Sequence, residues 1–394
     1  MRILFVLGDY YPKASANGVC VLNLQEALLA RGIHSDVICE GAKERISENK
    51  FGKIFYAEPG KNGKLLKLKR LFIWPIKNVS RINNYYRMIK EATKGCSYDL
   101  VVSVLRPIEG AVACARVGNF VLYELDSISN NGDNLYGIKH LLRYRAANLE
   151  RYIYKRAERI IHLSCHKEYY ASKKKYKRYD AKSIFTDIPH LTGPETAEPS
   201  AVSKTDSVCI TYLGSLSSPR NTPDYSLELI AGAAKERKIA CSFYSRGCEA
   251  ALDAAARKNP EVFFAKGYVP QEQLPAVRGN TDIFLSIGFA HTGTVTSIPS
   301  KIFEYMRTGK PILHVIGGKN DTAIPYLHTY GNALLIDPND NIEQNIEKTV
   351  KFIENNLGRT VDAMQLRNAL PMNTPEYTVE LLIDMIEGGT QNHA

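Results

Sequence analysis

The strongest constraint on this chain is the alternation of short, unbroken apolar runs with helical patterns. ILFVL (residues 3–7), SDVIC (35–39), YDLVVSVL (98–105), NFVLYELD (119–126) and RIIHLSC (159–165) lack the in–out alternation of a half-buried strand. Such runs suit strands covered on both faces, as the strands of a parallel sheet are. Between the first two, Val21, Leu22, Leu24, Leu28 and Leu29 make one broad apolar helix face, with Gly32 just past its end. PIEGAVACARV is helical in the same way, and another helix precedes residue 159.

After residue 190 the character changes. HLTGPETAEPSAVSKTDS (190–207) is rich in Pro, Ser, Thr and Glu and has no periodicity, which marks a linker. A second series follows: VCITYLG (208–214), ACSFYSRG (240–247), VFFAKGYV (262–269), DIFLSIG (282–288) and KPILHVI (310–316). TPEYTVELLIDMIE (374–387) then has a Thr cap with Pro behind it, the start of a final helix. The pattern predicts an α/β chain with two Rossmann-like doubly wound domains facing across a cleft. Residues 1–192 make the first, 193–206 the linker and 207–373 the second, with a last helix within 374–394. A ligand is expected at the carboxyl ends of both sheets. The 394 residues suit two domains rather than one core.

Charge is divided unevenly. Residues 1–192 hold 33 Lys+Arg against 18 Asp+Glu, a net +15, while the remainder holds 18 against 23, a net −5. Two surfaces with different partners are implied. The 8 cysteines include no Cys-x-x-Cys pair, which points to free thiols in a reducing compartment. The opening MRILFVLGDYYP has too short an apolar run for a signal peptide, and nowhere do eighteen uncharged apolar residues run together. A cytoplasmic protein is expected, peripheral at the inner face of a membrane.

The chemistry concentrates in SIPSKIFEYMRTGKPIL (297–313). Pro299 suits a first helical position, Ser297 a cap and Gly309 the helix end. Ile302, Phe303 and Met306 then face the core, and Ser300, Lys301 and Glu304 share another face near the helix start. A helix amino-terminus with a lysine suits phosphate, and a carboxylate one turn on suits a ribose diol. A plain Lys301–Glu304 surface pair explains the same spacing, and the residues alone leave both open. YLGSLSSPRN (212–221) offers Gly214 and Ser215 for close backbone approach and Arg220 for a diphosphate; a Gly/Pro turn with a solvated Arg is the alternative.

The order YLGSL…R, KGYVP…L, TDIFLS and PSKIFEYMRTGKPI resembles the donor half of glycosyltransferase family 4, in the two-domain GT-B fold. A strand, then YYPKASANG, then a helix ending in ARGIHSDVI is similar to that family's acceptor half. The resemblance covers most of the chain and is most specific in the second half. It implies a final helix, within 374–394, that returns to the first domain, a nucleotide-diphosphate sugar donor, a saccharide or lipid-linked acceptor, and transfer with retention at the anomeric carbon. Glu304 matches the second acid of the Glu-x7-Glu motif, which holds the ribose. The first acid is absent: Thr296 stands there, so the mode of holding the sugar departs from the family's. The backbone of residues 292–297, Thr296 and Ser297 among them, is then expected to serve the diphosphate and sugar, with Ser300. Arg220 matches the basic residue on the donor phosphates, with Lys301 a second candidate. Asn17 and Gly18 match the glycine loop near donor phosphate and acceptor, with one of its usual two glycines missing. Arg246, Gly267 and Tyr268 lie in loops expected to choose the base. Asp126 falls where the family often has a His, and either receives the acceptor proton or caps the next element.

The chain has no Asp-x-Asp, so no metal and no further cofactor are expected. His162, His166 and His314 read as packing or surface residues, and His291 alone falls in a candidate loop. Between residues 43 and 94 there are 14 Lys+Arg against 4 Asp+Glu. There GKLLKLKRLFIWPIK (63–77) interleaves cations with leucines and ends near Trp74, the pattern of an anionic membrane contact. KKKYKR (173–178) either adds to that surface or is a solvated face. Nucleic acid ranks lower because no binding motif accompanies the charge. Two other readings share this architecture: a nucleotide-sugar epimerase, and a non-catalytic nucleotide-binding partner protein.

Overall fold

The structure is a computed structural model that describes residues 1–10, 15–41, 46–60, 73–129, 142–193, 207–218, 220–290 and 298–390. The chain divides into two compact units, Met1–His190 joined by the stretch from Met372 onward, and Leu191–Pro371. The linker residues 194–206 and most of the basic segment 63–77 lie outside the described residues.

The first unit is built on β1 (Arg2–Val6), β2 (His34–Glu40), β3 (Ile46–Asn49), β4 (Gly52–Ala57), β5 (Leu100–Val104), β6 (Val121–Glu124), β7 (Arg159–Leu163) and β8 (Ser183–Thr186). They lie in the order β3-β4-β2-β1-β5-β6-β7-β8, all parallel except β3, which runs back along β4. β1 is central and fully buried from Ile3 to Val6, which is why its run is unbroken by polar residues. β3 (ISEN) is an edge strand of alternating exposure and carries no such run. Helices Ala16–Leu29, Val79–Gly95, Ile108–Val117 and Arg143–Arg156 cover the sheet. The final helix, Pro375–Thr390, packs on Ala16–Leu29, Arg31 pairs with Glu380, and Thr374 Oγ1 accepts from the Tyr377 amide at 3.4 Å.

The second unit orders β9 (Val208–Ser215), β10 (Ile239–Arg246), β11 (Phe263–Ala265), β12 (Ile283–Ile287), β13 (Ile312–Val315) and β14 (Ala333–Ile336) as β11-β10-β9-β12-β13-β14, all parallel. Two elements are shorter than the sequence predicts. The run 262–269 is strand only as far as Ala265, because Gly267 turns the chain at φ +68°. The helix expected from Pro299 spans Lys301–Met306, since the Ile302 and Phe303 amides close three-residue turns on Pro299 and Ser300, both at 3.2 Å. Ser300 takes the cap position without a side-chain bond, and Ser297 lies outside the described residues.

All 8 cysteines are free thiols. No helix among the described residues is long and apolar enough to cross a membrane.

Candidate functional site

In each sheet the strand order reverses direction once, between β1 and β5 and between β9 and β12. Loops leaving neighbouring strands there diverge to opposite faces and leave a crevice at the carboxyl ends.

In the second unit Gly214 and Ser215 end β9. Buried Asn221 closes the turn that follows, accepting from the Ser217 amide at 3.0 Å and donating to the Ser215 carbonyl at 2.9 Å. That fixes the root of Arg220, whose guanidinium lies 4.2 Å over the Phe289 ring and whose carbonyl accepts from the Ala290 amide at 2.6 Å. Arg220 therefore stands between the ends of the two strands that diverge. Across β9, Arg246 ends β10 in register with Ser215 and stacks 4.0 Å over Tyr268, which is 63% exposed. Arg246, Gly267 and Tyr268 thus form one exposed, cationic and aromatic edge.

The Lys301–Met306 helix buries Ile302, Phe303 and Met306, as the spacing predicts, and also Tyr305. The Tyr305 ring stacks on Phe284 of β12 at 4.4 Å, and its hydroxyl reaches the backbone of Leu213, one residue before Gly214. On the other face the Lys301 ammonium lies 3.0 Å from both Glu304 carboxylate oxygens, and Arg278 lies 3.5 Å from Oε2. At 19% side-chain exposure Glu304 is not an ordinary surface acid: two cations offset the desolvation of its charge. Arg278 was not legible in the sequence, where it is one more basic residue before a turn. Thr296, Ser297 and His291 lie outside the described residues.

Near the carboxyl ends of β12 and β13 a buried line joins Ser286, His314 and Asp321. His314 Nδ1 is 2.9 Å from Ser286 Oγ, and Nε2 is 3.1 Å from Asp321 Oδ2. Burial raises the Asp321 carboxyl, but the His314 contact and the amides of Gly317 and Ala323 outweigh it and hold it below its usual range. The carboxylate fixes the loop after β13 against Gly288, where a Cβ would lie 1.9 Å from Asp321 Oδ2 and 2.4 Å from the Gly317 nitrogen.

In the first unit Ser15 caps the Ala16–Leu29 helix, and Asn17 in its first turn reaches Asp126 Oδ2 at 3.5 Å, with Gly18 buried beside it. Asp126 lies just past β6, and the stretch that would hold the next element, 130–141, lies outside the described residues. Arg106, just past β5, donates to the Ser127 carbonyl at 3.2 Å. A crevice of about 340 Å³ opens at the switch point, lined by Gly8, Asp9, Asn17, Lys77, Arg81 and Arg106 among others. Arg81 and Arg106 escaped the sequence reading, which placed Lys77 at the end of the basic membrane stretch; the signal for Arg106 was a cation directly after an apolar run and before a helix.

Beneath Asp126, one group of ligating side chains converges among the described residues: Glu124, His162 and His166, all buried, with ligand atoms within 4.8 Å of one another. Glu124 Oε2 bonds His162 Nδ1 directly, and Tyr170 donates to Oε1 at 2.5 Å. Ligands of one tetrahedral zinc ion lie about 3.3 Å apart, so this is a closed hydrogen-bonded pair rather than an open ligand set. Desolvation opposes the Glu124 charge, yet His162 and His166 hold its carboxyl well below the usual range. Neither histidine is the surface residue its sequence context allowed. Trp74 is half-buried against this unit's core, and the basic run before it, 63–72, lies outside the described residues.

By sequence the chain matches no family model and no curated protein. By structure it is similar along its whole length to several solved proteins. Sucrose-phosphate synthase of Thermosynechococcus elongatus superposes with a TM-score of 0.65 at 14% identity, covering 100% of each chain. WaaG, a glycosyltransferase involved in lipopolysaccharide biosynthesis, gives 0.59 at 17%, covering 98% of this chain and 100% of its own. The UDP-GlcNAc 2-epimerase of Methanocaldococcus jannaschii gives 0.59 at 11%, covering 97% and 99%. Two parallel α/β units in this order, matched end to end, give this chain the GT-B fold.

Proposed function

We propose that this protein is a retaining, metal-independent glycosyltransferase that moves a sugar from a nucleotide-diphosphate sugar to a saccharide or lipid-linked hydroxyl. The observation that carries the reading is the placement of Glu304: half-buried, flanked by Lys301 and Arg278, on a helix fastened beside Gly214 at the second unit's switch point. A ribose diol donates two hydrogen bonds to that carboxylate, and Lys301 is then released toward the diphosphate. Arg220, Ser300 and backbone amides of 292–297 stabilise the negative charge that grows on the diphosphate as the bond from the anomeric carbon to its phosphate oxygen breaks. The acceptor oxygen bonds that carbon on the same face, and its proton passes to the departing diphosphate, with Asp126 and Asn17 orienting the hydroxyl. Arg246, Gly267 and Tyr268 offer the base a stacking surface, and Thr296 stands where the family's sugar-holding acid would be.

The exposed cations Lys173, Lys174, Lys175, Lys177 and Arg178, carried on a turn anchored by buried Tyr176 and Tyr179, support a peripheral contact with an anionic membrane. Surface polysaccharide or glycolipid synthesis at that membrane fits such a contact. The absence of Asp-x-Asp supports metal independence, and turnover is expected to survive EDTA.

The test is incubation with UDP-, GDP- and ADP-sugars, with and without acceptor saccharides, following both nucleotide release and the sugar. Acceptor-dependent release supports transfer, and no release with any donor overturns it. The epimerase neighbour favours one second reading: conversion of the donor sugar to its epimer without acceptor would select it.

A further inference from the structure

The crevice at the β1/β5 switch point holds more positive charge than an uncharged sugar needs. Three helices of ten residues or more, Ala16–Leu29, Val79–Gly95 and Ile108–Val117, begin at its rim, each with the positive end of its dipole toward it. Ser15 and Asn78 cap the first two, but Pro107 gives the third no side-chain cap.

Its acids are largely committed to the walls. Glu40 is paired with Arg81, and Glu109 accepts from the amides of Lys77 at 2.5 Å and Asn78 at 3.2 Å. Asp9 is exposed at the rim. Its cations are less engaged. Lys77 has no carboxylate partner among the described residues, and Arg106 bonds only the Ser127 carbonyl, with Nε buried and without an acceptor. A guanidinium so placed costs desolvation that one carbonyl does not return.

We propose that this crevice recognises an anionic substituent of the acceptor, a phosphate or a carboxylate, through Arg106 and Lys77. The inference rests on the transfer reading and narrows it: the acceptor is a charged saccharide or a lipid-linked phosphate, not a neutral sugar. Asn17 spans the two sites, lining the crevice and contacting Asp126. The anion anchors one end of the acceptor while a hydroxyl reaches the reacting position.

The experiment is calorimetric titration of the full chain with glucose 1-phosphate, glucuronate, farnesyl phosphate and glucose, and separately with UDP and GDP. Wild type is compared with Arg106→Met, Lys77→Met and Arg220→Met. At least one anionic probe is expected to bind and glucose to show no binding. Arg106→Met should weaken that probe by roughly 10- to 100-fold, the loss of a charge-assisted bond, and keep the nucleotide affinity that reports an intact fold. Arg220→Met should keep the anionic probe, which separates this site from the donor's. Whichever probe binds tightest distinguishes sugar phosphate, acidic sugar and lipid. Glucose binding as tightly as the best anionic probe, full affinity in Arg106→Met, or no anionic probe binding while a nucleotide does, overturns the inference alone. Failure of every nucleotide overturns the transfer reading beneath it.

Discussion

The Tyr305 hydroxyl is bonded to both backbone groups of one residue, accepting from the Leu213 amide at 2.8 Å and donating to its carbonyl at 2.9 Å. β12 is in register with β9 only through Ile283–Ile210 and Phe284–Thr211, so the hydroxyl supplies the rung that the diverging strand omits. Tyr305→Phe leaves a buried donor and a buried acceptor unmet. Destabilisation of about 2–4 kcal/mol is expected, read as a lower urea midpoint, with nucleotide affinity falling because the Glu304 helix loses its fastening.

Glu304→Gln keeps the side chain's shape and removes its charge. If the carboxylate holds a diol, nucleotide affinity falls roughly 10- to 100-fold. Lys301→Met should weaken nucleoside diphosphate but leave the bare nucleoside unaffected. Equal loss of both ligands in the Lys301 variant would count against a phosphate role.

At Gly247, φ is +89° and a Cβ would lie 2.0 Å from the Leu216 carbonyl oxygen. Neither backbone can yield, since the Leu216 amide is bonded to Arg246 at 2.8 Å. Gly247→Ala is expected to cost at least about 1–3 kcal/mol from the backbone conformation alone, and a melting temperature equal to wild type would contradict the geometry.

The Asp321 carboxyl is held below its ordinary value, so its contribution to stability is full above the unfolded-state value of about 3.9. That contribution is lost as pH falls through this value toward the folded one. Denaturant midpoints measured from pH 6 to pH 3 should fall more steeply for wild type than for Asp321→Asn. Parallel curves would show that the carboxylate is not held this way.

Apolar runs announced most interior strands because burial on both faces leaves no room for polar residues: β1, β2, β5, β9 and β12 were all legible, whereas the interior β4 (GKIFYA) went unread. The edge strands β3 (ISEN) and β8 (SIFT) were not, since a half-exposed strand of four residues resembles any loop. The same asymmetry governs the site. Glu304 was legible because it lies in a patterned helix, and Lys301 with it. Arg278 and Arg106 reach Glu304 and the Ser127 carbonyl only through folding that brings distant turns together, and a lone arginine in a turn carries no mark of its future partner. The Ser286–His314–Asp321 line was hidden for the same reason, its members coming from two strands and a loop.

The Pro375–Thr390 helix belongs to the unit whose strands precede the other unit in the sequence. Residues 191–371 can emerge and collapse as a block of continuous sequence, whereas the first unit waits for the helix beyond residue 374 before its Ala16–Leu29 helix is covered. Maturation therefore runs against the order of synthesis: the second unit can be finished while the first is still open, and a chain that stops short of residue 375 leaves the earlier unit incomplete.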